Sequence, residues 1–409
     1  MKIAIITTSF PSLSETFVLD QITGLLDLGH DVRIFAWRDP GESVEQREVA
    51  ARRLRDRTCY IPTMPRHKMW RLLKAAALIV ANFHKGPRPL LKFTGMFLHR
   101  RKGLSLAYLY FLLYFMENNF DVIHCHYGLN GLVGAFLKEA GIPGKVCTSF
   151  HGFDVSRYLL KNGPDVYRPL FSKGDLFMPV SEYWRDRLIE LHCPADKIVV
   201  HHMGIDPRKF PFVERRLEAG EPLRLLTVGR LVEKKGHAYA LRAVAKLVHE
   251  GRDIMYVIAG DGPERASLEG LCVQFGIRDK VQFAGALARD EVIKLYQASH
   301  VFLLPSVTAS DGDTEGIPVV LMEASAMGMP VLASTHSGIP EIVIDGKSGF
   351  LVPERDVDAL AAKLRVLHDN PHLWPSLGRH GRTTVEQMYD IKRLNQKLED
   401  VYAALCASD

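Results

Sequence analysis

Two basic side chains follow an apolar run in the second half of the chain and could bind a phosphate group. Leu223–Val228 is typical of a buried strand, and Gly229, Arg230 and Lys235 come after it. A glycine at a strand end lets the backbone approach a ligand, and the start of the next helix favours anions. Arg can grip a phosphate in a bidentate way, and Lys adds a point charge. This chemistry suits a diphosphate, although the motif alone leaves an ordinary basic loop open.

Two carboxylates form a second motif. Glu315 and Glu323 are separated by seven residues, and Pro318 between them is placed for the first turn of a helix that continues to about Met327. Glu315 would then lie in the preceding loop and Glu323 within the helix. Because a carboxylate accepts two hydroxyl hydrogen bonds, each can hold a vicinal diol of ribose or of another sugar.

Histidines follow two strand-like runs in the first half of the chain. His151 comes after Lys145–Phe150 and can donate to a sugar hydroxyl, while Asp154 close by fixes its orientation. His124 and His126 end another strand-like run, and we expect them to be packed side chains or to lie at the rim of the site.

A short acidic triplet, Asp311-Gly-Asp313, could hold a divalent metal on a sugar diphosphate through hard oxygen ligands. Arg230 and Lys235 already supply positive charge, however. We therefore interpret residues 311–313 as an acidic loop and predict no metal site and no cofactor.

The framework that positions these motifs is an alternation of short apolar runs and helix-length segments. Such alternation predicts parallel sheets built from βαβ units. The fold class is therefore α/β, with two doubly wound, Rossmann-like domains facing a central cleft. The predicted strands lie near 2–8, 32–36, 121–126, 145–150, 176–180 and 198–201, and near 224–228, 254–259, 280–284, 301–304 and 331–333.

Domain boundaries follow from composition. We expect a first domain over 1–206, a polar linker over 207–222, a second domain over 223–385 and a C-terminal helix within 386–409 that could pack back on the first domain. Ser14 is predicted to cap a first helix that runs to about Leu28.

Composition excludes several classes of protein. The 409 residues are 47% hydrophobic and 24% charged, which is ordinary for a globular chain and excludes wholesale disorder, collagen and a polytopic membrane protein. The six cysteines form no CxxC motif, so a reducing compartment fits. The first apolar run ends by Ile6, which is too short for a signal peptide. We therefore expect a cytoplasmic protein.

The net charge of 52 − 47 = +5 conceals an asymmetry. Residues 47–102 contain fifteen Lys or Arg and two acids, a balance of +13. Apolar residues at helical spacing in 68–83 and an uncharged stretch over 103–116 adjoin the basic ones. A solvated basic face is one interpretation, and a peripheral contact with an anionic membrane is the other. The stretch 103–116 is either a buried helix or a partly inserted one.

Taken together, the motifs resemble retaining glycosyltransferases of family 4, which have the GT-B fold. The resemblance is strongest in GRLVEKKG (229–236), AGDGPER (259–265), EGIPVVLME (315–323) and SGIPEIVIDGKSGFLV (337–352). It is looser in the first half, through DVIHCH (121–126), SFHGFD (149–154) and MGID (203–206). The segment after the first strand, TSFPSLSETF, lacks the glycine-rich loop of many members and resembles the branch that makes colanic acid and related exopolysaccharides.

The resemblance implies roles for particular residues. Arg230 and Lys235 would bind the donor diphosphate, Glu315 the donor sugar and Glu323 the nucleotide ribose. His151 would face the donor sugar. The other donor-binding positions implied are Gly229, Gly260, Gly316 and Ile317, and those on the acceptor side are Glu15, Thr16 and Asp154. Helix capping is the alternative role for Glu15 and Thr16.

The function that this resemblance implies is metal-independent, retaining transfer of a sugar, a hexose by expectation, from a nucleotide-diphosphate sugar. The acceptor would be a glycan or lipid-linked glycan of a cell-surface polysaccharide, and nucleic acid is not an expected partner. A sugar-nucleotide epimerase of similar bilobal fold and a non-enzymatic sugar-nucleotide-binding protein remain alternatives. A nicotinamide dehydrogenase would need GxGxxG after the first strand, where the chain has TTSFPS instead.

Overall fold

Two parallel six-stranded sheets form the framework of the protein. The computed structural model describes residues 1–12, 15–41, 47–63, 65–99 and 105–407; Ser14, the predicted cap, lies outside them. The first sheet contains β1 (Lys2–Ser9), β2 (Asp31–Arg38), β3 (Thr58–Tyr60), β4 (Val122–His126), β5 (Lys145–Phe150) and β6 (Leu176–Pro179). The second contains β7 (Leu223–Val228), β8 (Ile254–Ala259), β9 (Val281–Gly285), β10 (Val301–Leu304), β11 (Val331–Ser334) and β12 (Gly349–Val352).

Both sheets have the same strand order. The first runs β3-β2-β1-β4-β5-β6, and the second, β12-β11-β10-β7-β8-β9, is the same pattern read from the other edge. In each, the order reverses between two central strands, β1 and β4 or β7 and β10. Doubly wound sheets bind ligands outside the carboxyl ends of their strands at this switch point. The fold therefore fixes two facing places where a site is expected.

Helices cover both faces of each sheet. The first lobe, which we define as the first sheet with its helices, has α1 (Thr16–Asp27), α2 (Arg47–Ala51), α3 (Lys68–Asn82), α4 (Pro87–His99), α5 (Tyr108–Glu117), α6 (Gly128–Ala140), α7 (Arg157–Asn162), α8 (Arg168–Lys173) and α9 (Glu182–Glu190). The second lobe has α10 (His237–His249), α11 (Arg265–Gln274), α12 (Arg289–Ala298), α13 (Val319–Ala326), α14 (Ile339–Ile342), α15 (Val357–Asp369) and α16 (Trp374–Met388). Helix α17 (Ile391–Ala407) follows the second lobe along the chain.

The central strands are fully buried because helices lie on both sides of them. Ile3, Ile5 and Ile6 of β1 and Leu225 and Leu226 of β7 have no exposed surface. This is why such strands appear in the sequence as unbroken apolar runs.

The predicted strand over 198–201 is wrong. Val199 and His201 donate their backbone N–H groups to Phe177 and Pro179 of β6. To continue as a parallel ladder, the backbone N–H of residue 179 would have to donate to the carbonyl of Val199. Residue 179 is a proline, which has no N–H. Only an isolated bridge between Phe177 and Ile198 remains.

The segment between the lobes packs on the second lobe. Phe210 is buried there. The guanidinium of buried Arg215 donates to the carbonyls of Gln297 and Met327 at 2.8 and 3.0 Å. The chain passes between the lobes at Ile205 and again at Asp390, and these two residues form a parallel β-bridge with each other.

Helix α17 lies against the first lobe. It contacts α1, and Leu398 and Tyr402 are buried in the same core cluster as Ile3 and Ile5 of β1. The hydroxyl of Tyr402 forms a short hydrogen bond with Nδ1 of His124.

Helices α3 and α5 differ in burial. Leu109, Phe111, Leu112 and Phe115 of α5 are buried in the core of the first lobe, so α5 is a packed helix; residues 100–104 lie outside the described part. Only Ala75 of α3 is buried. Among the described residues, no helix has both the length and the apolar character required to cross a bilayer.

Candidate active site

The predicted donor motifs converge at the switch point of the second sheet. Gly229, Arg230 and Lys235 follow β7, and Glu315 follows β10, the neighbouring strand at which the order reverses. The first lobe brings the carboxyl ends of its own central strands, β1 and β4, to the facing side. The site therefore lies where fold geometry places a ligand.

A nearly buried ion pair joins the two donor motifs. Nζ of Lys235 lies 2.9 Å from Oε1 of Glu315, and the two side chains are 12% and 8% exposed. Burial opposes ionisation of Glu315, but Lys235, with Lys234 and His336 near it, outweighs that effect and lowers the pKa of Glu315 to about 2. The glutamate is therefore a fixed negative charge at physiological pH.

The backbone of Glu315 is held from both lobes. Its N–H donates to Nε2 of His336 at 3.0 Å, and His336 is paired through Nδ1 with Glu354 at 2.5 Å. Its carbonyl accepts from Ser337 at 2.9 Å and from the indole N–H of Trp184, a residue of the first lobe, at 3.1 Å. Both lobes thus fix the position of this loop.

The lobes touch directly beside this loop. A Cβ atom at Gly316 would come within 2.6 Å of the carbonyl oxygen of His151, and one at Gly152 would lie 3.0 Å from the backbone of Glu315. A side chain at either position would separate the lobes. Ile317, the next residue, is buried in the core of the second lobe, so its side chain anchors the loop.

Arg230 is the exposed cation of the site. It forms no ion pair within the described residues, and its charge acts on Tyr127 of the first lobe. The backbone beneath it is tightly packed, because a Cβ atom at Gly260 would lie 1.9 Å from the carbonyl oxygen of Gly229. Gly260 also has φ of +142°, which favours glycine. The guanidinium is therefore available to an anionic ligand, next to a turn at Gly229 and Gly260 where the two backbones are in close contact.

Glu323 lies within α13, as the sequence predicted. Its Oε2 accepts from the hydroxyl of Tyr296 at 2.9 Å. Burial raises the pKa of Glu323, and Arg289 and Tyr296 partly oppose that effect. Asp20 of the first lobe adds a like charge nearby. Among the described residues, the other carboxylate oxygen of Glu323 has no hydrogen-bond partner, so it can make a further polar contact.

His151 has protein partners at both ring nitrogens. Nε2 lies 3.1 Å from Nδ1 of His126, and Nδ1 lies 3.2 Å from the sulfur of Met203. Its ring packs on Phe17 and Tyr127. Burial and the neighbouring His126 keep the pKa of His151 well below its usual range, so the ring is neutral. Its ring is thus already engaged by packing within the first lobe.

The prediction that Asp154 contacts the acceptor and orients the His151 ring is corrected by the structure. Asp154 is fully buried, and its carboxylate accepts the backbone N–H groups of Gly128, His151 and Gly152 at 2.8, 2.9 and 3.0 Å. Burial raises its pKa to about 6 despite these bonds. Asp154 therefore holds the backbone of the loop and has no surface to offer an acceptor.

Glu15 and Thr16 stand at the start of α1, as expected, and border the site. Glu15 occupies the position before the helix without capping it through its side chain. Its Oε1 instead accepts from the hydroxyl of Tyr127 at 2.8 Å. Thr16 is half-buried and begins the helix. Capping is thus not the role of the Glu15 carboxylate.

The acidic triplet is tied by cations from both lobes. Asp313 lies 3.2 Å from Nζ of Lys234, and Asp311 lies 3.1 Å from Nε of Arg157 in the first lobe. Within the described residues, no group of three or more His, Cys, Asp or Glu side chains is arranged to hold a metal ion. Both carboxylates have protein cations as partners.

Several partners of the site were missed by sequence reasoning. Lys234 has the same residue type as Lys235, yet only the structure shows that it faces Asp313. Trp184 and His336 lie far along the chain from Glu315, and nothing in their local sequence points to it. Tyr127 did carry a signal, because it stands between the end of a strand and a glycine; it adopts φ of +71° there.

Comparison with known proteins agrees with this geometry. The profile described as Glycosyltransferase Family 4 matches residues 14–209, and that of Glycosyl transferases group 1 matches residues 211–384. WcaL of Salmonella typhimurium, named for colanic acid biosynthesis, is 37% identical over 97% of this chain and 98% of its own. The amylovoran biosynthesis glycosyltransferase AmsK of Erwinia amylovora is 39% identical over 89% of this chain and 90% of its own.

The crystal structure of HepE from Anabaena, in complex with UDP and glucose, has the same fold, with a TM-score of 0.73. The two sequences are 16% identical, and the match covers 99% of this chain and 100% of that one. The two doubly wound lobes are those of the GT-B class. The chain belongs to the glycosyltransferases that join a family 4 domain to a group 1 domain, as the sequence motifs predicted.

Proposed function

We propose that the chain is a retaining, metal-independent transferase that moves a sugar from a nucleotide-diphosphate sugar to a glycan or lipid-linked glycan in the synthesis of an exopolysaccharide. The Lys235–Glu315 ion pair beside the exposed Arg230 carries this proposal, because it combines charge for a diphosphate with an acceptor for sugar hydroxyls. The relatives named for colanic acid and amylovoran support the product class. The UDP and glucose bound by HepE support the donor class.

In this proposal the donor lies across the carboxyl ends of β7 and β10. Arg230 and Lys235 bind the diphosphate and stabilise its growing charge as it leaves. Lys235 has three N–H donors, so it can bind phosphate and keep Glu315. Glu315 holds the sugar, Glu323 the ribose, and the backbone at Gly229, Gly260, Gly316 and Ile317 lies against the donor.

The acceptor side belongs to the first lobe, at Glu15 and Thr16. The acceptor hydroxyl oxygen bonds to the anomeric carbon on the face from which the diphosphate oxygen departs, so the configuration is retained. The hydroxyl proton passes to an oxygen of the departing diphosphate, and no protein base is required. The neutral His151 helps to shape the sugar pocket, while Asp154 acts only through the backbone of that loop.

We assign residues 1–206 to the acceptor domain, 207–222 to the linker, 223–385 to the donor domain and 386–409 to a C-terminal segment. The acceptor is placed in the cytoplasmic leaflet of the plasma membrane, with which the enzyme associates peripherally. The +13 balance of residues 47–102 supports contact with an anionic surface.

Metal independence is tested with EDTA. Asp311 and Asp313 already neutralise Arg157 and Lys234, and Arg230 and Lys235 supply charge to the donor. Transfer should therefore continue in EDTA. Loss of activity that Mg²⁺ or Mn²⁺ restores would contradict this part of the proposal.

The donor assignment is tested by thermal shift against UDP-, GDP-, ADP- and dTDP-sugars, since selective binding raises the melting temperature. Turnover is then measured with the selected donor and a lipid-linked acceptor. Arg230→Ala and Lys235→Ala should each lower kcat/KM strongly, whereas Lys246→Ala, an exposed cation of α10, should not. Unchanged kcat/KM in both site variants would overturn the assignment. Epimerised donor, or binding without any turnover, would favour the alternatives.

A further inference from the structure

Helix α3 exposes apolar side chains to solvent. Met69 is 72% exposed, Trp70 64%, Leu73 55% and Val80 77%. We call these four residues the α3 surface. Leu91 and Leu98 of the neighbouring α4 are exposed as well. Exposed apolar side chains are ordinary when scattered, but a cluster on one surface marks a binding site.

The core contact of α3 lies on a different side of the helix. Ala75 is buried, and Leu78 and Ile79 pack against the core of the first lobe. At about 100° per residue, Met69, Leu73 and Val80 lie about 120–160° around the helix from Ala75. Charged residues are expected there on a surface helix. The apolar character of this side is therefore not explained by the fold.

Charge indicates what covers the α3 surface. None of residues 57–116 is Asp or Glu, whereas eleven are Lys or Arg. Lys68, Arg71 and Lys74 lie in the first two turns of α3, where residues 68–74 are all exposed, and they form no ion pair within the described residues. An exposed helix that combines apolar side chains with cations that form no ion pair matches the boundary between anionic headgroups and acyl chains.

We propose that the α3 surface docks the protein on a membrane leaflet rich in anionic lipid, with Trp70 and its apolar neighbours entering the headgroup–acyl boundary. Lys68, Arg71 and Lys74 lie among the lipid phosphates. This inference rests on the proposed function, which places a lipid-linked acceptor at that membrane. It assigns insertion to α3 and not to residues 108–117, because α5 is buried.

A second copy of the chain fits this surface less well. Pairing two α3 surfaces would bring two sets of cations together in a segment that has no carboxylate to neutralise them. An anionic lipid surface supplies that neutralisation at every position. Charge complementarity therefore favours the membrane as the occupant.

The test is co-sedimentation of the full-length protein with phosphatidylglycerol/phosphatidylcholine vesicles and with pure phosphatidylcholine vesicles. We expect strong binding to the anionic vesicles only, decreasing as salt rises because screening shortens to about 8 Å at physiological ionic strength. A charge variant, Lys68→Glu with Arg71→Glu and Lys74→Glu, should bind at least tenfold more weakly. An apolar variant, Met69→Ser with Trp70→Ser, Leu73→Ser and Val80→Ser, should lose the part of the binding that resists salt.

The matched control changes exposed apolar residues of the second lobe, Val273→Ser and Met388→Ser, and should bind like the wild type. All changed side chains are exposed, so thermal unfolding should confirm that every variant folds. Trp70 emission should shift to the blue with anionic vesicles, and Trp70→Phe should remove that shift. Equal binding to both vesicle types, binding to neither, or full binding by the apolar variant would overturn the proposal. Self-association lost in the apolar variant, without vesicle binding, would also overturn it.

Donor binding separates this inference from the proposed function. The α3 surface belongs to the first lobe and the donor residues to the second, so both surface variants should keep wild-type donor affinity. Wild-type protein that binds donor but no vesicles would defeat the docking surface alone. Wild-type protein that binds vesicles but no nucleotide sugar would defeat the proposed function.

Discussion

At the scale of single residues, the Lys235–Glu315 pair makes the free energy of unfolding depend on pH under acidic conditions. The pKa of Glu315 is lowered to about 2 from its ordinary 4.5. A carboxyl group whose pKa is lower in the folded than in the unfolded state stabilises the fold when the pH is above its unfolded-state pKa. That stabilisation is lost as the pH falls from the unfolded-state pKa to the folded-state pKa. We expect the wild type to lose stability relative to Glu315→Gln between about pH 4.5 and pH 2. Urea unfolding across that range measures the difference, and a constant difference would contradict the expectation.

Trp184 is expected to act on transfer through the backbone of Glu315. Trp184→Phe keeps the buried ring but removes the N–H that donates to the Glu315 carbonyl. One hydrogen bond contributes about 1 kcal/mol, so kcat/KM should fall about fivefold. Trp374→Phe is the matched control, because that buried indole donates to Leu367 within the second lobe. An equal loss in both variants would mean that stability alone is responsible.

The residues of the site differ in how far the sequence could predict them. Arg230 and Lys235 lie between β7 and α10, Glu315 lies in the loop before α13, and Glu323 lies within α13, so local pattern fixes their positions. Asp154 could not be predicted correctly, because its burial beneath three N–H groups depends on the loop conformation.

At the scale of elements, helix α9 is capped by the other lobe. The carboxylate of Glu341, from the second lobe, accepts the N–H groups of Glu182 and Tyr183 at 3.2 and 3.3 Å. Ser181, of the first lobe, accepts that of Trp184 at 3.2 Å. An anion at a helix start offsets both the unpaired N–H groups and the helix dipole.

Because Glu341 and Ser181 accept different N–H groups of α9, removing each one should speed hydrogen exchange at different amides. Glu341→Ala should speed exchange at the amides of residues 182 and 183, whereas Ser181→Ala should speed it at residue 184. Each loss corresponds to about 1 kcal/mol of helix stability. If Glu341→Ala left all three amides as protected as in the wild type, the contact between the lobes would not persist in solution.

Elements were predictable in proportion to their burial. Central strands such as β1 and β8 appear as apolar runs, because helices cover both of their faces. The edge strands β3 and β12 are only partly buried, and both were missed. The apparent strand at 198–201 failed because Pro179 cannot complete the ladder.

At the scale of the whole molecule, α17 completes the core of the first lobe. Ending the chain after Asp390 would remove Leu398 and Tyr402 from that core. Limited proteolysis should then cut the first lobe rapidly while residues 211–384 stay protected. Lys397→Ala, an exposed change on the same helix, should resist proteolysis like the wild type. A truncated chain as resistant as the full one would contradict a structural role for α17.

The order in which a ribosome makes this chain has a consequence for α17. The first lobe leaves the ribosome before the second, yet one wall of its core is a helix that is made after both lobes. Roughly two hundred residues separate the end of that lobe from the end of α17, so at about 5–20 residues per second its core stays open on the order of 10–40 s. The apolar side of α1 is uncovered throughout, within reach of chaperones and of other nascent chains. Of the two lobes, the one that is synthesised first is therefore the one that finishes folding last.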